Sequence, residues 1–421
     1  MRVCVANPPA YLYDHKRHFI QAGSRWSFSM DAEKGSHAWP HYQPFPFSLA
    51  YATSMLKEGG FEVDAFDGCA LDMDEKEFLL RVERFKPDLL IVEVPTVSFP
   101  FVMRLLREVE EQVGCDIAVA GPHVTAIPTS TRYKRLIGEW ESLPSKRRVK
   151  FEEYPFPDRE FFPNELYSNF EFYRPSAQML SSRGCPSSCV FCVERHVLGW
   201  GPTVRARKAE NVVDEMEYVQ GLGAKQVWFD DMSITARKDH VESLCREILK
   251  RGLDLPWTAM ADMNACEETV RLMTEAGCLG VAFGVETVNR EVLHRIGKPW
   301  VTKEKAVRFV KLLRKNGVYS VATFSLGLPG HTRESILEDI RFATEELGAD
   351  SVQFSIATPF PGTPFYRLCK RKGWLVTDDW TRYDGARYGV VDYPSLKHEE
   401  TEELFKYAMQ LRKERALGFR K

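Results

Sequence analysis

Short apolar runs alternate with amphipathic stretches along most of the chain, and the hydrophobic period switches between two and 3.6 as one gives way to the other. In the first third, RVCVA (2–6), FEVDAF (61–66), DLLIVEV (88–94) and DIAVAG (116–121) read as strands, with helical patterns at 48–58, 74–85 and 100–112. Gly59 and Gly60 stop the first of these helices. Strands joined by single helices predict a parallel, doubly wound sheet, whose ligands sit at the carboxyl ends of its strands. That rule gathers NPP (7–9), DGCA (67–70), PTVSF (95–99) and GPHVT (121–125) around one crevice.

The alternation resumes at residue 175. SAQMLSS, KQVWFD, WTAMAD, LGVAFGVE, SVATFSLG and DSVQFSIATP read as six strands, followed by helices at 208–221, 239–250, 266–276, 302–315, 332–346 and 363–372. Six such units predict a curved, barrel-like parallel sheet, since a closed eight-unit barrel needs more chain. A charged helix (397–417) follows, with Leu404, Tyr407, Ala408 and Leu411 as its docking face.

Two stretches break the rhythm. Residues 10–46 hold eight aromatics without a clean period and are expected to fold as a lid over the crevice. Residues 141–165 are charged and proline-rich, as a linker is. The expected organisation is α/β throughout: a Rossmann-like domain (1–140), a linker (141–174), a partial (β/α)6 barrel (175–375) and a C-terminal helical extension (376–421).

Composition changes this picture little. With 44% hydrophobic residues and a net charge of −2, nothing demands a nucleic acid or a membrane surface as partner. MRVCVANPPA lacks the build of a signal peptide, and no apolar run spans a bilayer. A cytoplasmic protein with reduced thiols is expected.

Three of the ten cysteines, Cys185, Cys189 and Cys192, fall within GCPSSCVFC. Structural zinc wants four protein ligands, and His196 is the only local addition. An iron–sulfur cluster is the better reading, because thiolates are its usual ligands and three of them leave one iron of a cubane open for chemistry.

Cys-x3-Cys-x2-Cys, with Phe191 before the last cysteine, resembles the signature loop of the radical S-adenosylmethionine (SAM) enzymes. WFDDMS (228–233), GVETVNREVL (284–293), SLGLPGHT (325–332) and TPFPGTPFY (358–366) follow in that family's order, so the resemblance covers about half the chain. It implies a [4Fe-4S] cluster whose open iron chelates SAM, and an external reductant such as ferredoxin or flavodoxin. Asp230 and Asp231 would hold the SAM ammonium, and Glu286 a ribose hydroxyl or the substrate. Gly327 and Gly330 would admit the adenine. The structural alternative for the acids is capping of the segments that follow them. Where relatives often carry an arginine after the third strand, Asp262 and Asn264 stand here.

A doubly wound sheet ahead of such a barrel resembles the cobalamin-binding subclass, on NPP, 46–67, KPDLLIVEV and AGPHVTAIP (120–128). Asp-x-His-x-x-Gly is absent, which implies cobalamin with no histidine on its lower face. Asn7, Pro8, Thr96, Ser98, Gly121 and His123 are the cobalamin-binding candidates, with Gly121 making room for the nucleotide tail. The subclass's Gly-Glu-Gly-Glu stretch has no counterpart beyond IGEWE (137–141). The implied activity is C-methylation of an unactivated carbon through methylcobalamin and a 5′-deoxyadenosyl radical. The acceptor expected is a peptide or protein carbon, for example a glutamine of methyl-coenzyme M reductase. Alternatives are a radical SAM cyclase, oxidase or epimerase; a methylthiotransferase with a second cluster on Cys4, Cys69 and Cys115; and a cluster-bearing electron carrier.

Overall fold

The computed structural model describes residues 1–10, 43–136, 138 and 150–418. Most of the expected lid (11–42) and the start of the expected linker lie outside the described residues.

The first sheet is parallel throughout. It comprises β1 (Arg2–Asn7), β2 (Glu62–Asp67), β3 (Leu89–Glu93), β4 (Asp116–Ala120) and a short β5 (Lys134–Arg135), in the order β2-β1-β3-β4-β5. Its strands are continuous apolar runs because both faces are covered. Cys4, Ala6, Leu90, Val92 and Val119 build one core, and Val3, Val5, Ile91, Ala118 and Ala120 the other. The connecting helices, Phe47–Glu58, Glu75–Phe85 and Phe99–Gln112, fall where the periodicity puts them. Asp74 and Glu77 start the second with a reciprocal capping box. The chain order reverses between β1 and β3, which opens a crevice at their carboxyl ends.

The second sheet begins with β6 (Ser176–Met179), followed by a two-stranded antiparallel ribbon, β7 (Ser182–Arg183) with β8 (Arg205–Ala206). It continues through β9 (Gln226–Phe229), β10 (Trp257–Met260), β11 (Cys278–Glu286), β12 (Tyr319–Leu326) and β13 (Ser351–Ile356). All six main strands are parallel, in the order β13-β12-β11-β10-β9-β6, and β13 does not pair with β6. This is the expected open (β/α)6 sheet. Asn289, Thr302 and Thr363 cap the helices that follow by accepting a backbone N–H three residues on.

Residues 150–174 are not a loose tether. Phe151, Tyr154, Phe162 and Tyr167 are buried, and Gln43 bridges to Ser168. Arg159 of this strap donates to the carbonyl of Gln178, and Arg207 to that of Leu180, at edge strand β6. Both guanidiniums pair with the buried Glu215.

Beyond residue 373 the extension is irregular up to the helix His398–Gly418. The Ile356 N–H donates to the Gly385 carbonyl at 2.7 Å, so the extension covers the open edge at β13. The helix docks with Thr401, Leu404, Phe405 and Ala408, while Tyr407, expected to dock, is 46% exposed. Both stripes obey the helical period, and contact with β12 and β13 selects the first. No described helix is long and apolar enough to cross a membrane.

Candidate active site

A cavity of about 450 Å³ lies between the carboxyl ends of the two sheets. Pro95, Thr96 and Val97, after β3, form part of its wall, and the three clustered cysteines form another part.

The cysteine loop is clamped at several points. Ribbon β7–β8 closes its base, where Gly184 adopts φ +100° and a Cβ would stand 2.1 Å from the Thr203 carbonyl oxygen. Arg195 donates to the Cys185 carbonyl at 2.8 Å, and the His196 ring nitrogen Nε2 lies 3.1 Å from the Cys189 carbonyl. The Val190 N–H reaches the Ile296 carbonyl, and Gly297 (φ +81°) lets that segment press on Ser188. Beneath the loop, buried Arg183 stacks over Phe151 at 4.5 Å and Trp200 at 5.1 Å, tying the strap to it.

Cys185, Cys189 and Cys192 are free and partly buried. Among the described residues, the only His, Cys, Asp or Glu group with ligand atoms all within 4.8 Å of one another is Asp392, His398 and Glu399. The three thiols are therefore not all within 4.8 Å of one another, a wider spread than one zinc ion holds at a Zn–S distance of ~2.3 Å. Burial pushes Cys189 up to about 11, against the pull of Lys298, and burial beside Glu194 lifts Cys192 well above its ordinary range. Bound iron would reverse both shifts, as a metal's own charge does.

Glu286 lines the cavity in a strained conformation, φ +67°, at an irregularity in the β11–β12 pairing. Its carboxylate accepts from Lys298 Nζ at 2.8 Å and Ser325 Oγ at 3.1 Å. Burial alone would lower the Lys298 ammonium, but Glu286 and the Cys189 and Cys185 sulfurs outweigh it and hold it above its usual range. A polar row continues across the sheet, since Thr323 pairs in register with Gln353 and Ser325 with Ser355. All four line the cavity. In a packed barrel these inward positions would be apolar.

Several expected site residues stand elsewhere. Asp230 and Asp231 do not line the cavity. Asp231 accepts from the Ser181 N–H and from the hydroxyls of Ser181 and Ser182, and Asp230 accepts from the Trp228 indole. Gly327 makes room for Thr401, and Gly330 for Arg295. Gly121 (φ +101°) makes room for Glu93 and the Val94 backbone. Asn7 donates to Asp67, Ser98 bonds the Pro95 carbonyl, and neither they nor Pro8 line the cavity. His123 is fully buried against Phe99 at 4.1 Å and Trp380 at 5.1 Å, and burial lowers it to about 4. Of the cobalamin candidates, Thr96 alone reaches the cavity. Asp262 and Asn264, where an arginine was expected, do line it.

Sequence reading missed Lys298, Thr323, Ser325, Gln353, Ser355 and Asp384. The i, i+2 spacing of polar residues in T-F-S and Q-F-S, inside otherwise apolar strands, was the available signal. Cys69 follows β2 at the carboxyl end of the first sheet, whereas Cys115 precedes β4 at the opposite end. They cannot share a second cluster with Cys4.

Residues 179–343 match the Radical SAM superfamily, so the chain carries a radical SAM domain. An uncharacterized methyltransferase of Pyrococcus horikoshii is 28% identical over 404 residues, spanning 86% of this chain and 85% of that protein. The cytidylyl-2-hydroxyethylphosphonate methyltransferase of Streptomyces wedmorensis is 29% identical over 266 residues, 59% of this chain and 48% of that one. Among solved structures, the radical SAM methyltransferase TsrM from Kitasatospora setae, with cobalamin and a [4Fe-4S] cluster bound, superposes with a TM-score of 0.66 at 20% identity. That match covers 95% of this chain and 84% of TsrM. The cobalamin-dependent SAM radical enzyme OxsB gives 0.66 at 14% identity, over 96% of this chain and 66% of OxsB. These likenesses establish the fold: a doubly wound parallel sheet ahead of a partial barrel.

Proposed function

We propose that this chain is a cobalamin-dependent radical SAM methyltransferase acting on an unactivated carbon. The observation that carries the reading is the shared cavity, walled by the cysteine loop of one sheet and the β3 crevice of the other. The donor set fits both groups. Three free thiols on one loop suit a cluster with one open iron. Pro95, Thr96 and Val97 offer cobalt no imidazole, in keeping with the missing Asp-x-His-x-x-Gly. When bound, the cluster supplies the electron that cleaves SAM, and cobalamin supplies the methyl group. The protein's own part is to hold and enclose. Cys185, Cys189 and Cys192 ligate, Glu286 and Lys298 orient SAM's polar groups, and the barrel lumen keeps water from a radical.

An external reductant is required. The relatives' acceptors include a cytidylylated phosphonate, and TsrM was solved with a tryptophan substrate. The acceptor proposed here is an amino-acid or peptide carbon, the glutamine of methyl-coenzyme M reductase being one case.

The test is anaerobic production with cobalamin supplied, followed by metal analysis and incubation with methyl-deuterated SAM and a reductant. About four irons per chain, stoichiometric cobalt, and 5′-deoxyadenosine with S-adenosylhomocysteine are expected. Cys185→Ala loses iron and keeps cobalt. Iron without cobalt in the wild type overturns the reading.

A further inference from the structure

We propose that Asp384 and Gln353 form the recognition subsite for the methyl acceptor and select a compound presenting a cationic or N–H donor group beside a hydrogen-bond acceptor. This rests on the methyltransferase reading and adds the acceptor's chemistry to it.

Asp384 belongs to the C-terminal extension, is 2% exposed, and lines the cavity. Its Oδ1 is engaged, accepting from the backbone N–H groups of Ala386 and Arg387 at 2.9 Å and of Tyr388 at 3.4 Å. Its Oδ2 is buried and has no hydrogen-bond partner among the described residues. Leaving a buried carboxylate oxygen unmatched is costly, so a side chain held only to cap its loop would more cheaply be an asparagine or a serine. Gln353, on β13, carries the complementary vacancy, because its amide nitrogen is buried and also unpartnered among the described residues. One group therefore wants a donor and the other an acceptor, and both face one cavity.

The Gly385 carbonyl is pinned to β13 by the Ile356 N–H, which seats Asp384 at the strand that carries Gln353. The cysteine loop follows β6, at the other end of the strand order, and the segment after β13 reaches it where the Phe365 N–H donates to the Val190 carbonyl. On β12 and β13 a polar row of Ser325 and Ser355 leads to Glu286. Charge points the same way. The described side chains lining the cavity include four carboxylates, Glu194, Asp262, Glu286 and Asp384, against one ammonium, Lys298. Such a lining favours cations and disfavours a phosphonate or carboxylate acceptor.

The experiment is titration of the cofactor-loaded protein, without reductant, with five probes followed by ligand-observed NMR. The probes are methylguanidinium, methylammonium, N-methylacetamide, acetate and methylphosphonate. Methylguanidinium and N-methylacetamide are expected to bind the wild type, and Asp384→Asn to weaken methylguanidinium at least tenfold. That variant keeps the Oδ1 acceptor for the three N–H groups, so an unchanged melting temperature separates lost recognition from lost folding. Gln353→Leu should weaken N-methylacetamide and spare methylammonium. Preferential binding of the anions, no binding of either donor probe, or cation affinity within twofold in Asp384→Asn overturns the inference. Because no turnover is measured, absence of methyl transfer would count against the functional reading and leave this result standing.

Discussion

Lys298 Nζ lies 2.8 Å from Glu286 Oε1 and 2.9 Å from the Gly284 carbonyl, so one ammonium closes the kink where β11 ends. Glu286 holds a left-handed backbone at that point, and Lys298 follows the helix Arg290–Arg295 that the kink launches. Neither charge is far from water, yet both are mostly covered. Lys298→Met would strand the carboxylate with Ser325 as its remaining donor among those described above. A loss on the order of 3 kcal/mol is expected, as for other broken buried pairs. Urea denaturation of wild type and variant at neutral pH measures it.

Gly297 is the contact between that segment and the cysteine loop. A Cβ there would sit 2.6 Å from the Ser188 carbonyl oxygen, which is backbone and cannot swing aside. Gly317 has a similar positive φ and nothing within 4 Å. Gly317→Ala should therefore cost only the left-handed strain, about 1 kcal/mol, and leave iron content unchanged. Gly297→Ala should cost more and lower the iron per chain after anaerobic reconstitution. Equal iron in the two variants would remove the loop contact from the account.

Asp231 is a hub beneath β6, not a cavity wall. Asp231→Ala removes the acceptor for the Ser181 N–H and both serine hydroxyls, a loss of about 2–4 kcal/mol by summed hydrogen-bond values. At a temperature where the variant stays folded, its apparent SAM affinity by equilibrium dialysis should match the wild type's. A large affinity loss would return Asp231 to the SAM site.

His331 and Asp339 form a buried pair with opposite linkage to pH. Burial raises Asp339 to about 7 and lowers His331 to about 3. The Asp339 contribution is full below its unfolded value of ~4 and is lost as pH rises through 7. That of His331 is full above its unfolded value of ~6.5 and is lost as pH falls towards 3. Asp339→Asn keeps an oxygen for Thr287 and Val288 and removes only the first contribution. Relative to wild type, the variant should gain about 1 kcal/mol or more between pH 5.5 and 8. Denaturation midpoints at the two pH values decide it, and a gap independent of pH would show that Asp339 ionises freely.

The sequence by itself determined the elements and the cysteine loop. Strands and helices depend on neighbours within a turn or two, so period and caps place them, and Cys185, Cys189 and Cys192 share one eight-residue stretch. Strand-end position was also legible, and Glu286, expected at the end of its strand to meet a ribose hydroxyl or the substrate, lines the cavity. What an adjacent side chain faces was not. Asp230 and Asp231 follow β9 at the expected rim, yet their partners are Trp228 and the serines after β6. Tertiary structure alone decided that Gly327 and Gly330 accommodate Thr401 and Arg295. It also brought Lys298, Gln353 and Asp384 to one lumen from a post-helix loop, the edge strand and the C-terminal extension. Residues so far apart in the chain leave no local periodicity to read. Their meeting depends on parallel register and on which segment covers the open edge of the barrel, and both are settled by burial summed over the whole fold.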